Sequence, residues 1–120
     1  MNVPITVMSM RVCLFILSSI HATIRVSTMI ELHSIRKSYK QGKEKINVLD
    51  DISLTVNEGT TVAIVGPSGS GKSTLLSIMA GLDVPDAGTV RIDGVDLSTL
   101  EEKELAHFRN KKMSIVFQSF

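Results

Sequence analysis

The sequence predicts an α/β fold: an antiparallel β-subdomain beside the first strand and helix of a parallel α/β core. Three observations predict it. Ile30 and Leu32 alternate with Glu31 and His33, and Ile52, Leu54 and Val56 alternate with Ser53 and Thr55, as in strands with one wet face. Val62-Ala63-Ile64-Val65 is apolar without alternation, the pattern of a strand buried on both faces in a parallel sheet. That strand runs into a glycine-rich string followed by apolar residues at helical spacing. The 120 residues bound the chain to one modest domain, and 43% hydrophobic with 21% charged residues is the balance of a globular protein.

Residues 1–28 contain Arg11 and Arg25 and no acid, whereas residues 29–120 hold all 12 acidic residues. The apolar run from Val12 to Leu17 is too short for a bilayer span, which takes about 20 residues. Arg11 ahead of that run has the order of a signal peptide, but Ile20-His21-Ala22 is a poor cleavage site. Residues 1–28 therefore read as an N-terminal extension outside the fold, with the domain occupying 29–120. Gln41-Gly42-Lys43-Glu44-Lys45 is a polar loop tip between the two alternating strands, and Asn57-Glu58-Gly59 turns the chain again.

After the glycine-rich string, Leu75, Ile78, Met79 and Leu82 fall at i, i+3, i+4 and i+7, which predicts a helix ended by Gly81 and Pro85. Met79 belongs to its core face. Val90 and Ile92 alternate with Thr89 and Arg91, a further strand before the Asp93-Gly94 turn. Ser98-Thr99-Leu100-Glu101 has capping-box spacing and predicts a helix start, with Leu105 and Phe108 on its apolar face and the charges at 101–104 in solvent.

Composition excludes several function classes. A net charge of +1 leaves no basic field for nucleic acid. Cys13 is the lone cysteine, so an internal disulfide is excluded and reducing cytosol is the easier setting. His21, His33 and His107 show no metal-ligand spacing.

The chemistry sits in Gly66-Pro67-Ser68-Gly69-Ser70-Gly71-Lys72-Ser73-Thr74, which matches the P-loop with Gly66, Gly71, Lys72 and Ser73 at the defining spacing. Glycines let backbone N–H groups approach phosphate oxygens with no Cβ in the way. The following helix presents its N-terminus to the same anion. Lys72 supplies a point charge for the β- and γ-phosphates, and the Ser73 hydroxyl is a ligand for Mg2+. A GTPase is not indicated, because Asn110-Lys111-Lys112-Met113 lacks the aspartate that reads guanine.

Residues 29–120 resemble the N-terminal half of an ABC-transporter ATP-binding subunit. Four pieces carry the resemblance: Leu32-x-x-Ile35-x-Lys37-x-Tyr39; Val48-Leu49-Asp50-Asp51-Ile52-Ser53-Leu54; the P-loop continued through Leu75-Leu76; and Val116-Phe117-Gln118. Gly81-Leu82-Asp83-x-Pro85-x-x-Gly88 is similar to the subgroup serving lipoprotein release, macrolide export and antimicrobial-peptide export.

The resemblance implies an incomplete P-loop NTPase core, with ATP and Mg2+ as cofactors. It makes Tyr39 the aromatic residue that stacks on adenine, and Gln118 the Q-loop glutamine that touches Mg2+ and the attacking water. A neutral amide both donates and accepts, which suits that task. It implies transmembrane permease subunits and a second ATP-binding subunit as partners, on the inner face of the cell membrane. Lys72 and Gln118 are then the catalytic candidates, and Gly66 to Thr74 with Tyr39 the nucleotide-binding ones.

The family's signature string, Walker B strand and switch histidine do not occur in these 120 residues, since Val90-Arg91-Ile92-Asp93 is interrupted by Arg91 and lies too early. Thr60 stands where the family often has an acid. The expectation is a sequence truncated after the Q-loop. The alternatives are a nucleotide-binding remnant without turnover and a P-loop kinase.

Overall fold

The computed structural model describes residues 6–10 and 28–116. In chain order these form β1 (Thr6–Met10), β2 (Thr28–Gln41), β3 (Glu44–Asn57), β4 (Thr61–Val65), α1 (Lys72–Met79), β5 (Ala87–Ile92), β6 (Val95–Asp96), a 3-10 turn at Leu97–Thr99 and α2 (Glu102–Lys112). Two sheets result: a four-stranded antiparallel sheet ordered β3-β2-β5-β6, and a two-stranded pair of β1 and β4.

The antiparallel hairpin expected from the two alternating segments is present and longer than alternation alone indicates. β2 and β3 pair from Thr28↔Asn57 to Gln41↔Glu44, so the polar tip narrows to Gly42 and Lys43. Strict alternation in β2 would turn Ser34 inward after Leu32. Instead Ser34 takes a left-handed backbone (φ 47) and donates its N–H to the Ser53 hydroxyl at 2.9 Å. This bulge inserts one residue, shifts the phase and drives Ile35 into the core. Asp51 (φ 56) lies at the compensating irregularity in β3, so Leu49 is buried three positions before Ile52.

β5 joins the other side of β2 through Ile30↔Ile92 and Leu32↔Val90. It passes the bulge so closely that a Cβ on Gly88, whose φ is +95, would lie 2.4 Å from the His33 carbonyl oxygen.

Helix α1 lies on this sheet. Leu75 and Ile78 are buried with Leu32, Ile35, Leu49, Val90, Ile92 and Leu97, and Met79 packs at the margin. Each such aliphatic side chain contributes about 1.5–3 kcal/mol by leaving water. Gly81 (φ +64) ends the helix, and the Leu82 N–H donates to the Ser77 carbonyl at 2.8 Å while Gly81 N–H donates to Ile78 at 3.0 Å, a Schellman motif. Leu82, expected on the helix's apolar face, lies past this stop and is exposed.

The expected cap of α2 moves as well. Asp96, not Ser98, does the capping upstream: its carboxylate accepts from the Ser98 N–H at 2.9 Å and stabilises the 3-10 turn. The α-helix begins only after Glu101, whose N–H donates to the Glu104 carboxylate at 3.0 Å. A carboxylate at the third helical position satisfies the entering backbone as well as a serine cap would. Leu105 and Phe108 pack against the core, as their spacing predicts.

β4 departs most from expectation. It was to be buried on both faces of a parallel sheet; instead Val62 and Ile64 are half-buried, and Val65 is 45% exposed. Its described partner is β1, antiparallel, from Thr6↔Val65 to Met10↔Thr61. Among the described residues no parallel strand flanks β4, so nothing supplies the second buried face. β2, the first strand of the larger sheet, starts at Thr28, next to the boundary read at Met29.

Candidate functional site

The glycine-rich segment leaves β4 at Val65 and enters α1 at Lys72, the strand–loop–helix context the motif requires. Gly69 (φ +77) and Gly71 (φ +92) sit in left-handed backbone. Gly71 is also a close approach: a Cβ there would lie 2.9 Å from both the Val48 carbonyl oxygen and Leu49 Cδ2. A Cβ on Gly66 would lie 2.7 Å from the Ser70 hydroxyl oxygen. The loop is thus folded back over itself with space that side chains would fill.

The first bond inside α1 is Leu75 N–H to the Gly71 carbonyl at 2.8 Å. The amides of Lys72, Ser73 and Thr74 therefore lack an intrahelical acceptor and carry the positive end of the helix into the loop. Lys72 Nζ folds back over the loop, donating to the Pro67 carbonyl at 2.5 Å and to the Ser70 hydroxyl at 3.3 Å. Pro67, Ser68 and Gly69 are exposed, and so is Ser73. The arrangement gathers an ammonium, free amides and a hydroxyl around a concave backbone, and these are donors for a polyphosphate and one hydroxyl ligand for a divalent cation.

Tyr39 stands near the end of β2, 43% exposed. Its hydroxyl donates to Asp83 Oδ2 at 2.6 Å, and Lys37 Nζ donates to Asp83 Oδ1 at 2.7 Å and to the Val84 carbonyl at 2.6 Å. Lys37 Nζ lies over the Tyr39 ring, 5.2 Å from its centre. The hydrogen bonds from Lys37 and Tyr39 hold the Asp83 carboxyl below the usual carboxylate range. The same carboxylate raises the Lys37 ammonium and the Tyr39 hydroxyl, while the Thr74 hydroxyl opposes the rise at Tyr39.

Of the residues singled out in the sequence, the structure brings together Gly66 to Thr74, and Tyr39 stands on β2 against Asp83, just past the end of α1. Gln118 lies outside the described residues. Lys37 and Asp83 stood in two separate motif strings with no role attached; what joins them is a contact 46 residues apart, visible only in three dimensions. Asp86 makes a parallel tie, accepting from the Ser38 N–H at 2.9 Å and from the Ser38 hydroxyl.

Residues 49–120 match the family model described as ABC transporter. The chain is 50% identical over 92 residues to the uncharacterised ABC transporter ATP-binding protein YknY of Bacillus subtilis, covering 77% of this chain and 40% of that protein. It is 54% identical over 90 residues to the lipoprotein-releasing system ATP-binding protein LolD of Bacteroides thetaiotaomicron, covering 75% and 39% respectively. The macrolide export ATP-binding/permease protein MacB of Bdellovibrio bacteriovorus is 48% identical over 92 residues, 77% of this chain and 14% of that one. Among solved structures, the dimeric bacterial ABC transporter cassette MJ0796 superposes with a TM-score of 0.63 at 39% identity, covering 75% of this chain and 39% of the cassette. The dimeric post-hydrolysis state of that cassette, bound to ADP and phosphate, gives a TM-score of 0.56 at 37% identity, covering 68% and 35%. The chain thus spans about 40% of the length of the first curated relatives it matches.

Proposed function

Because the chain belongs to the ABC transporter family, with a fold that is part of the family's P-loop α/β cassette, we propose that it carries the nucleotide-binding half-site of a transporter's ATP-binding subunit. The observation that carries this reading is the loop itself. Two positions where a Cβ would collide, first-turn amides without an intrahelical acceptor and an ammonium folded over the loop make a cradle suited to a polyphosphate.

The residues divide the work. Backbone amides from Gly69 to Thr74 and the Lys72 ammonium bind the phosphate chain. Lys72 exchanges its present carbonyl and hydroxyl partners for phosphate oxygens, which are charged and form the stronger hydrogen bonds. Ser73 would hold Mg2+, and a magnesium ion at that point neutralises phosphate charge. Tyr39 offers an aromatic face to adenine, and stacking on it contributes about 1–3 kcal/mol. Gln118 would orient the attacking water.

Hydrolysis needs an acidic strand behind the metal and charge stabilisation from a second subunit. The 120 residues do not contain them. The binding of Mg·ATP is therefore assigned to this chain, and turnover to the whole cassette paired with a second copy and with membrane-embedded permease subunits at the cytoplasmic face. No helix among the described residues is long and apolar enough to cross a membrane. The similarity to LolD and to MacB favours an exporter-type or lipoprotein-release system over other family branches.

The test is Mg·ATP binding to the protein and to its Lys72→Ala variant, followed by calorimetry, with circular dichroism as the fold control. The reading requires affinity to fall by at least about tenfold, the equivalent of one charge-assisted hydrogen bond, with an unchanged spectrum. Parental affinity in the variant would end it.

A further inference from the structure

We infer that Asp83 is a positioning residue for the base-stacking ring, tying the far end of the phosphate-binding helix to Tyr39. The inference rests on the reading of Tyr39 as the nucleobase platform and goes beyond it in saying what sets the ring.

Three observations carry it. First, the bulge at Ser34 shifts the phase of β2, so that Lys37 and Tyr39 follow Ile35 on the side facing the segment after α1. Second, both side chains meet the same carboxylate, one on each oxygen: Tyr39 on Oδ2 at 2.6 Å and Lys37 on Oδ1 at 2.7 Å. Third, Asp83 is itself fixed. It follows the Schellman stop of α1, and its Oδ1 accepts the N–H of Val84 at 2.7 Å.

A tyrosine ring on an exposed strand end would rotate about χ1 and χ2 and lose that freedom when a base stacks on it. The Asp83 bond removes the freedom beforehand. Lys37 lies over the ring at 5.2 Å from its centre, so one face is occupied and the base is directed to the other. Helix α1 then acts on the nucleotide from both ends: its N-terminus holds phosphates, and the residue just past its C-terminus holds the ring that receives the base. Only a ligand carrying both parts senses the tie.

The test compares Mg·ATP with inorganic tripolyphosphate, which keeps the phosphates and lacks the base. The variants are Tyr39→Ala, Tyr39→Phe, Asp83→Ala and the double variant Tyr39→Phe/Asp83→Ala. Tyr39→Phe removes only the hydroxyl and keeps the ring, so it stays informative even if Asp83→Ala folds poorly. Positioning predicts that Tyr39→Phe and Asp83→Ala each weaken ATP by about three- to tenfold, the range of one lost hydrogen bond. The double variant should be no weaker than either single one, and tripolyphosphate should bind all of them equally. Additive losses in the double variant, or equal losses for ATP and tripolyphosphate, would overturn the inference. An Asp83→Ala variant with parental ATP affinity would overturn it too. If Tyr39→Ala leaves ATP affinity unchanged, the platform reading itself fails, and the positioning role falls with it.

Discussion

The two sheets are made of similar residues and end in opposite conditions. The β3-β2-β5-β6 sheet has a helix on one face, and its core side chains, Leu32, Ile35, Leu75 and Ile78 among them, are almost entirely out of water. The β1–β4 pair is composed on the β4 side of Val, Ala and Ile residues at least as apolar, yet they remain partly exposed. Hydrophobic residues do not bury themselves; they need a second layer. The larger sheet gains one from α1 and α2, and β4 has none among the described residues. Catalytic loops draw on rigid supports. The glycine-rich loop springs from the less supported strand, and its far end approaches the other sheet so closely that a Cβ on Gly71 would meet Val48 and Leu49.

The largest expected effect separates the two sheets directly. Ile78→Ala or Leu32→Ala should cost about 2–5 kcal/mol in denaturant unfolding, since both side chains leave a closed cavity. Val65→Ala, on the exposed strand, should cost less than about 1 kcal/mol. Equal costs would mean that β4 is buried in solution.

Gly71→Ala tests the contact between the sheets. The substitution places a Cβ against backbone oxygen in a left-handed conformation, for which strain of about 1–3 kcal/mol is expected. Because the strain lies where the loop is pressed, nucleotide affinity should fall further than stability does; Gly59→Ala, also at positive φ but with open space around it, should lose stability only.

Next in size is the pH dependence of the Asp83 tie. The carboxyl is held low by its hydrogen bonds from Lys37 first and Tyr39 second. Its contribution to stability is therefore complete above the ordinary carboxylate range and disappears as pH falls through the lowered value. Lys37 is raised by the same hydrogen bond, so its contribution persists below the ordinary lysine range and is lost as pH rises past the raised value. The difference in Tm between the protein and its Asp83→Ala variant should hold steady between about pH 5 and 9 and shrink on either side.

The smallest effect concerns residues 1–27. Their deletion should leave Tm of the larger sheet unchanged, while amides of Thr61 to Val65 exchange faster with deuterium once their partner strand is gone. A drop in global stability would place the N-terminal stretch within the core and move the boundary from Met29.

The legible parts of the sequence were those where chemistry and local pattern coincide. The strand–loop–helix context of Gly66 to Thr74 could be read outright, because the motif dictates both residue types and spacing. The hairpin and the apolar faces of both helices followed from periodicity, except for Leu82, which the Gly81 stop leaves outside α1. What stayed hidden depended on partners distant in the chain. The environment of β4 could not be inferred, since an unalternating apolar strand reports what it would accept on its faces, not what is there. Asp83 carried no signal of its own relation to Tyr39, because a contact 44 residues away leaves no local periodicity. The cap of α2 slipped three residues because Glu101 and Glu104 compete with Ser98 for the same task.

The bulge at Ser34 has a consequence for how this strand tolerates insertion and deletion. It acts as a frame-shifter written in backbone rather than in codons: it absorbs one extra residue, so deleting Ser34 would restore simple alternation with Ile35, Lys37 and Tyr39 still on the side of Leu32. Deleting one residue between Ile35 and Lys37, by contrast, would turn the segment beyond it over. Lys37 and Tyr39 would then face away from Asp83, while Gly66 to Thr74 would be untouched. A codon lost at the bulge would thus be tolerated, whereas one lost just past it would leave the phosphate grip intact and disconnect the base, so chain length is constrained more after Ile35 than at Ser34.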